Sequence, residues 1–202
     1  TFENDLKNYF CSKNACAVAN GTAALHLTGL ALGWRTGDVV ITSPITFLST
    51  ANCIVYSGAT PDFVDIDPLS YNLCPKQLEL KLIEAKKSNT LPKIVVPVHL
   101  CGQPCDMKAI HRLSQQYGFK VIEDASHAIG GRYFDGPIGN CKYSDITVFS
   151  FHPVKIVTTA EGGAALTNDQ TLADKMALYR SHGITREASQ MVNESHGGWY
   201  YE

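Results

Sequence analysis

The sequence predicts an α/β fold with a mostly parallel sheet flanked by helices, and three observations predict it. Short apolar runs of about four to six residues alternate with helical stretches of about 10–13 along most of the chain. The run at 93–99 is apolar through its middle, as expected for a strand covered on both faces. The 202 residues are 45% hydrophobic and 18% charged, enough apolar material for a sizeable core.

Residues 2–11 place Phe2, Leu6, Tyr9 and Phe10 at helical spacing. A short apolar run at 15–19 leads into Asn20-Gly21-Thr22, after which 23–32 reads as a helix ended by Gly33 and Gly37. A β-branched strand follows at 38–42, then Pro44 and a helical stretch at about 46–57. Residues 60–65 form a strand closed by Asp67-Pro68, and 75–87 an exposed helix with Pro75 at its start. Strand 93–99, helix 106–117 and strand 119–123 come next. A glycine-rich loop separates them from strands at 146–149 and 163–167 and a helix from 170 to about 181.

The composition excludes several classes. A net charge of −2 gives no electrostatic case for nucleic acid or an anionic membrane surface. No apolar run approaches the roughly 18 residues that span a bilayer. Seven cysteines, at 11, 16, 53, 74, 101, 105 and 141, are odd in number and scattered through apolar segments. That pattern suits reduced, buried thiols in a cytoplasmic protein better than a disulfide framework. A start at Thr1 inside a helical pattern reads as a fragment of a longer protein, truncated at both ends.

In a parallel sheet, ligands sit beyond the carboxyl ends of the strands, so polar residues there are the candidates for function. Asn20-Gly21-Thr22-Ala23-Ala24 opens a helix after an apolar run. It is either a phosphate cradle with free N–H groups or a plain N-cap. Glu123, Asp124 and His127 follow a strand. Asp124 either caps the next turn or holds a protonated heterocyclic nitrogen, and His127 either bonds a neighbouring ring oxygen or is a satisfied, partly buried histidine. Ser150, His152 and Lys155 follow the strand at 146–149. Lys155 lies between Val154 and Ile156, an apolar setting suited to an amine nucleophile or to a lysine snorkelling beside a buried strand. His99, Cys101 and Cys105 lack the second Cys/His pair of a zinc site, and no metal is expected. Fingerprints for dinucleotides, P-loop phosphates and serine hydrolases are absent.

Taken in order, Gly21-Thr22-Ala23, Ile45-Thr46-Phe47, the EDASH run at 123–127, the SFHPVK run at 150–155 and Glu161-Gly162-Gly163 resemble one family. It is the DegT/DnrJ/EryC1/StrS family of pyridoxal-phosphate-dependent aminotransferases acting on nucleotide-linked keto sugars, of fold type I. The resemblance covers 2–201 and implies the cofactor-binding large domain without the smaller C-terminal one. By that resemblance Lys155 bonds the pyridoxal 5'-phosphate covalently and is catalytic. Asp124 pairs with the pyridinium nitrogen, His127 stands near the phenolic oxygen and Phe47 stacks on the ring. Ser150 and the Thr22-Ala23 helix start cradle the phosphate.

Within the family, 150–163 and Arg180-Ser-His-Gly183 look most like the pseudaminic-acid pathway members. These imply a UDP-linked 4-keto-6-deoxy-N-acetylhexosamine converted to its 4-amino sugar, with L-glutamate as donor. The 4-aminoarabinose transaminases are a near alternative. The resemblance also implies a homodimer with shared active sites, to which the aromatic end Trp199-Tyr200-Tyr201 would contribute a contact surface. Family dehydratases acting at C3 replace the lysine with histidine, so Lys155 argues against that chemistry. A non-catalytic binding module that kept the fold is the alternative from another class.

Overall fold

In the computed structural model, which describes residues 1–134, 136–193 and 197–202, the alternation resolves into a seven-stranded sheet covered on both faces. The strands are β1 (Asn14–Val18), β2 (Val39–Thr42), β3 (Thr60–Phe63), β4 (Ile94–Val96), β5 (Lys120–Asp124), β8 (Ile146–Ser150) and β9 (Gly163–Thr167). Their order is β1-β9-β8-β5-β4-β2-β3. β8, β5, β4, β2 and β3 run parallel, while β9 lies antiparallel to both β8 and β1.

Period-two alternation splits the strand residues between two layers. Val40, Ile94, Val96 and Ile122 pack toward helices α2 (Gly21–Ala31), α3 (Ser49–Tyr56) and α6 (Gln170–Arg180). Ile41, Val95 and Val121 pack the other way, against α4 (Pro75–Ser88) and α5 (Met107–Tyr117). Helix α1 (Phe2–Phe10) closes the β1 side, where Phe10 stacks on Phe149 with ring centroids 4.4 Å apart.

Local chemistry sets the helix ends. Asn20, Asp106 and Asp169 accept hydrogen bonds from the first-turn amides of α2, α5 and α6, and Pro75 opens α4. Three expectations change. The run at 15–19 is an edge strand, because its alternating small residues pair along β9. Helix α3 starts at Ser49 rather than 46, the preceding residues forming a turn. The glycine-rich loop holds a two-stranded ribbon of β6 (Arg132–Tyr133) and β7 (Gly136–Pro137), too short for any periodicity to announce.

Candidate active site

The carboxyl ends of β4, β5 and β8 and the start of α2 surround a cavity of about 490 Å³. Asp124 ends β5 on its wall, 4% exposed. Thr50 Oγ1 donates to Asp124 Oδ2 at 2.8 Å, and Ser126 Oγ donates to Oδ1 at 2.7 Å. The Ser126 backbone N–H adds a third bond at 3.2 Å. Thr50 is itself held by Thr46, with hydroxyls 2.8 Å apart. The Lys and Arg ion pairs of the structure go to other acids, Asp62, Asp38, Glu79, Asp145 and Glu3. Hydroxyls fix its direction without neutralising it, which leaves a nearly buried negative charge beside an open space.

Glu123, the neighbouring residue, turns to the opposite face of β5. His99 Nε2 lies 2.8 Å from its Oε2, Thr147 Oγ1 donates to its Oε1 at 3.1 Å, and Ser144 Oγ donates to the same oxygen. Burial raises the carboxyl's pKa, but the His99, Ser144 and Thr147 bonds outweigh it and hold the group below its ordinary range. This carboxylate is saturated inside the protein and has nothing to offer a ligand.

His127 and Lys155 line the same cavity as Asp124. Burial, together with the Lys155 charge, lowers the His127 pKa against the pull of Asp124. The neutral ring accepts the Cys101 backbone N–H on Nδ1 at 3.3 Å, so Nε2 carries its proton. Lys155 follows β8 in a turn whose backbone N–H donates to the His152 carbonyl at 2.8 Å. Its neighbours do not form the apolar pocket that the sequence suggests: Val154 is 78% exposed and Ile156 70%. Phe47, 70% exposed, stands at the cavity rim.

The phosphate-cradle residues divide. Gly21, Thr22 and Ser150 line the cavity. A Cβ on Gly21 would come within 2.8 Å of Ser150 Cβ, so glycine is what lets the helix start approach β8. Ala23 does not line the cavity, and its N–H already donates to Asn20 Oδ1 at 2.8 Å. The helix start thus meets the cavity through Asn20, Gly21 and Thr22, and Asn20 also caps the helix. Sequence reasoning missed Thr50 and Ser126. The i, i+4 spacing of Thr46 and Thr50, and Ser126 two residues past Asp124, were the available signals.

The cysteines also divide. Cys16, Cys53, Cys105 and Cys141 are buried, but Cys11 and Cys101 are exposed. Burial pushes the Cys53 and Cys141 thiols up to about 12, which makes them inert.

The model of the DegT/DnrJ/EryC1/StrS aminotransferase family matches residues 1–201. The chain belongs to that family. Its relatives include the spore coat polysaccharide biosynthesis protein SpsC of Bacillus subtilis, 44% identical over 201 residues, covering 100% of this chain and 49% of the relative. UDP-4-amino-4,6-dideoxy-N-acetyl-beta-L-altrosamine transaminase of Campylobacter jejuni is 41% identical over 186 residues, covering 92% and 48%. The solved structure of NtdA from Bacillus subtilis with bound cofactor PMP superposes with a TM-score of 0.82 at 32% identity, covering 95% of this chain and 42% of that one. The chain spans about half the length of the curated relatives it matches. The fold is the fold-type-I fold of this aminotransferase family.

The donor set fits pyridoxal phosphate, the cofactor of this family. A cation-free carboxylate suits a protonated ring nitrogen, an N–H at Nε2 suits a phenolic oxygen, and a primary amine suits an aldehyde carbon. A helix start opened by glycine, beside a serine hydroxyl, suits a phosphate.

Proposed function

We propose that this chain is the cofactor-binding large domain of a pyridoxal-phosphate-dependent sugar-nucleotide aminotransferase. The observation that carries the reading is the convergence of Asp124, His127 and Lys155 on one cavity that the α2 start and Ser150 also line. Bound there, the cofactor supplies an electron sink for the carbanion left when a proton leaves the carbon bearing nitrogen. The rest is the chain's own chemistry. Asp124 favours the protonated ring nitrogen through its charge, and Thr50 and Ser126 keep its oxygens aimed. His127 donates through Nε2 to the ring oxygen, and Phe47 covers the ring face. The amides at Gly21 and Thr22 and the Ser150 hydroxyl take the phosphate. Lys155 would hold the cofactor through its amine, and the same amine is the group placed to move a proton as base and acid.

The net exchange gives the amino group of L-glutamate to a UDP-linked 4-keto-6-deoxy sugar and leaves the donor as its 2-oxo acid, one water being consumed in the donor half and one released in the sugar half. Similarity to the Campylobacter jejuni transaminase supports that substrate class. We place the protein in the cytoplasm, where its exposed Cys11 and Cys101 stay reduced. We further propose a homodimer. Phe47, Leu48, Val55 and Tyr56 are exposed along α3 and its approach, and Val154, Ile156 and Val157 beside Lys155. An apolar surface reaching the cavity rim suits a two-fold contact that completes each site from the other subunit.

The test is reduction of the cofactor-loaded full chain with borohydride, followed by peptide mapping. The pyridoxyl group is expected on Lys155. Recovery on any other lysine ends the assignment.

A further inference from the structure

A fully buried histidine lies outside the cavity. His99 is 0% exposed, at the end of β4, and its ring joins two partners. Nε2 faces Glu123 Oε2 at 2.8 Å, and Nδ1 accepts the Cys105 backbone N–H at 3.1 Å. Rotating the ring by half a turn would set carbon atoms against both partners, so this orientation is the one that satisfies them. Burial disfavours charge on the ring, while the Cys105 side chain and Glu123 together would draw a second proton onto it, pushing it up to about 10. The Cys105 N–H decides against that charge, because an imidazolium has no lone pair at Nδ1 to receive it. The ring is neutral, with Nε2–H donated to the carboxylate.

The bond to Cys105 closes the segment from 99 to 105 into a tight loop. Inside it lies the 3-10 turn Leu100–Gly102, with Cys101 at φ 52° and Gly102 at φ 88°. A Cβ on Gly102 would stand 2.9 Å from the His127 carbonyl oxygen, so the turn lies directly against His127. From this turn Cys101 donates its N–H to His127 Nδ1. Asn72 braces the outer side: its Oδ1 accepts the Leu100 N–H at 3.1 Å, and its Nδ2 donates to the Gln103 carbonyl at 2.9 Å.

We infer that His99 is a positioning residue for the active site: Glu123 fixes its proton on Nε2, the freed Nδ1 anchors the 99–105 loop through Cys105, and the loop's Cys101 N–H in turn fixes the proton of His127 on Nε2, facing the cavity. Two histidines are thus set in the same tautomer in series, the buried one by a carboxylate and the cavity one by a backbone amide. The functional half of this inference rests on the role proposed for His127.

Two isosteric substitutions separate anchoring from mere filling of the core. In His99→Asn the side-chain oxygen stands near the place of Nδ1 and can still accept the Cys105 N–H. In His99→Gln the amide reaches the place of Nε2 and can still donate to Glu123, but leaves Cys105 without an acceptor. Amide hydrogen exchange in the full chain, resolved to single residues, is the readout, with thermal unfolding run in parallel. Cys101 and Cys105 are expected to keep near wild-type protection in the Asn variant and to exchange about tenfold faster or more in the Gln variant. Selective ¹⁵N labelling of histidine should show the His127 proton on Nε2 in wild type and Asn, and shared between both nitrogens in Gln.

Equal behaviour of the two variants, or better protection in Gln, would overturn the anchor and leave His99 as a partner for Glu123 alone. Should either variant fail to fold, Asn72→Ala still tests the chain of contacts: it must speed exchange at Cys101, and unchanged protection there contradicts the proposal. His127→Phe keeps the two readings apart. If it leaves turnover intact while the Asn and Gln variants still differ in exchange, the cofactor role of His127 fails and the anchor stands.

Discussion

Glu123 and Asp124 are consecutive carboxylates at the end of one strand, both nearly buried, and their surroundings could hardly differ more. Glu123 meets His99, Ser144 and Thr147, and its charge is fully used inside the protein. Asp124 meets only hydroxyls and one amide, and its remaining capacity faces the cavity. A one-residue step along a strand changes the face, so the fold needs no extra element to make one acid structural and the next available for chemistry. A buried charge without a counter-ion is costly, and such a charge persists where a ligand supplies the missing cation.

The predictions that sharpen this contrast run from large effects to small. Lys155→Ala removes both the tether and the proton carrier, and turnover should fall about a thousandfold or more while the melting temperature of the cofactor-free protein stays near wild type. Steady-state kinetics and calorimetry measure the two. Gly21→Ala sets a Cβ 2.8 Å from Ser150 and should weaken cofactor binding about tenfold in equilibrium dialysis. An unchanged affinity would move the phosphate elsewhere.

The acid limb of stability belongs to the Glu123 side of the comparison. Its folded pKa lies below the ordinary 4.5, so its contribution is complete above that pH and is lost as the pH falls through the lower folded value. Glu123→Gln should flatten the fall of the denaturant midpoint below about pH 4.5 relative to wild type. An unaltered slope would mean that the carboxylate gains nothing from its partners.

Much of the fold was legible because it rests on periodicity. The strand at 163–167 and the helix starting at 170 fall where alternation and capping put them. The edge strand β1 was hidden, since Ala15 and Ala17 carry little pattern and the pairing with β9 is long-range. The site was legible only as separate strand-end residues. That Thr50 reaches Asp124 across 74 positions, or His99 reaches Glu123 across 24, follows from which strands neighbour each other, and no local spacing encodes it. At Ala23 the sequence left two readings of the helix start open, and only the structure shows Asn20 accepting that amide.

The two acids themselves provide the most direct test. Asp124→Asn and Glu123→Gln each exchange one oxygen for an amide nitrogen, one residue apart, in the cofactor-loaded full chain. Asp124→Asn should lower turnover about 100-fold or more, with cofactor occupancy and unfolding free energy nearly unchanged. Glu123→Gln keeps an acceptor for His99, and should lower unfolding free energy by about 1–3 kcal/mol while turnover per folded molecule stays within a few-fold. The contrary pattern, with activity lost at Glu123 and stability lost at Asp124, or both lost together at each, would contradict the division of labour between the two faces of β5.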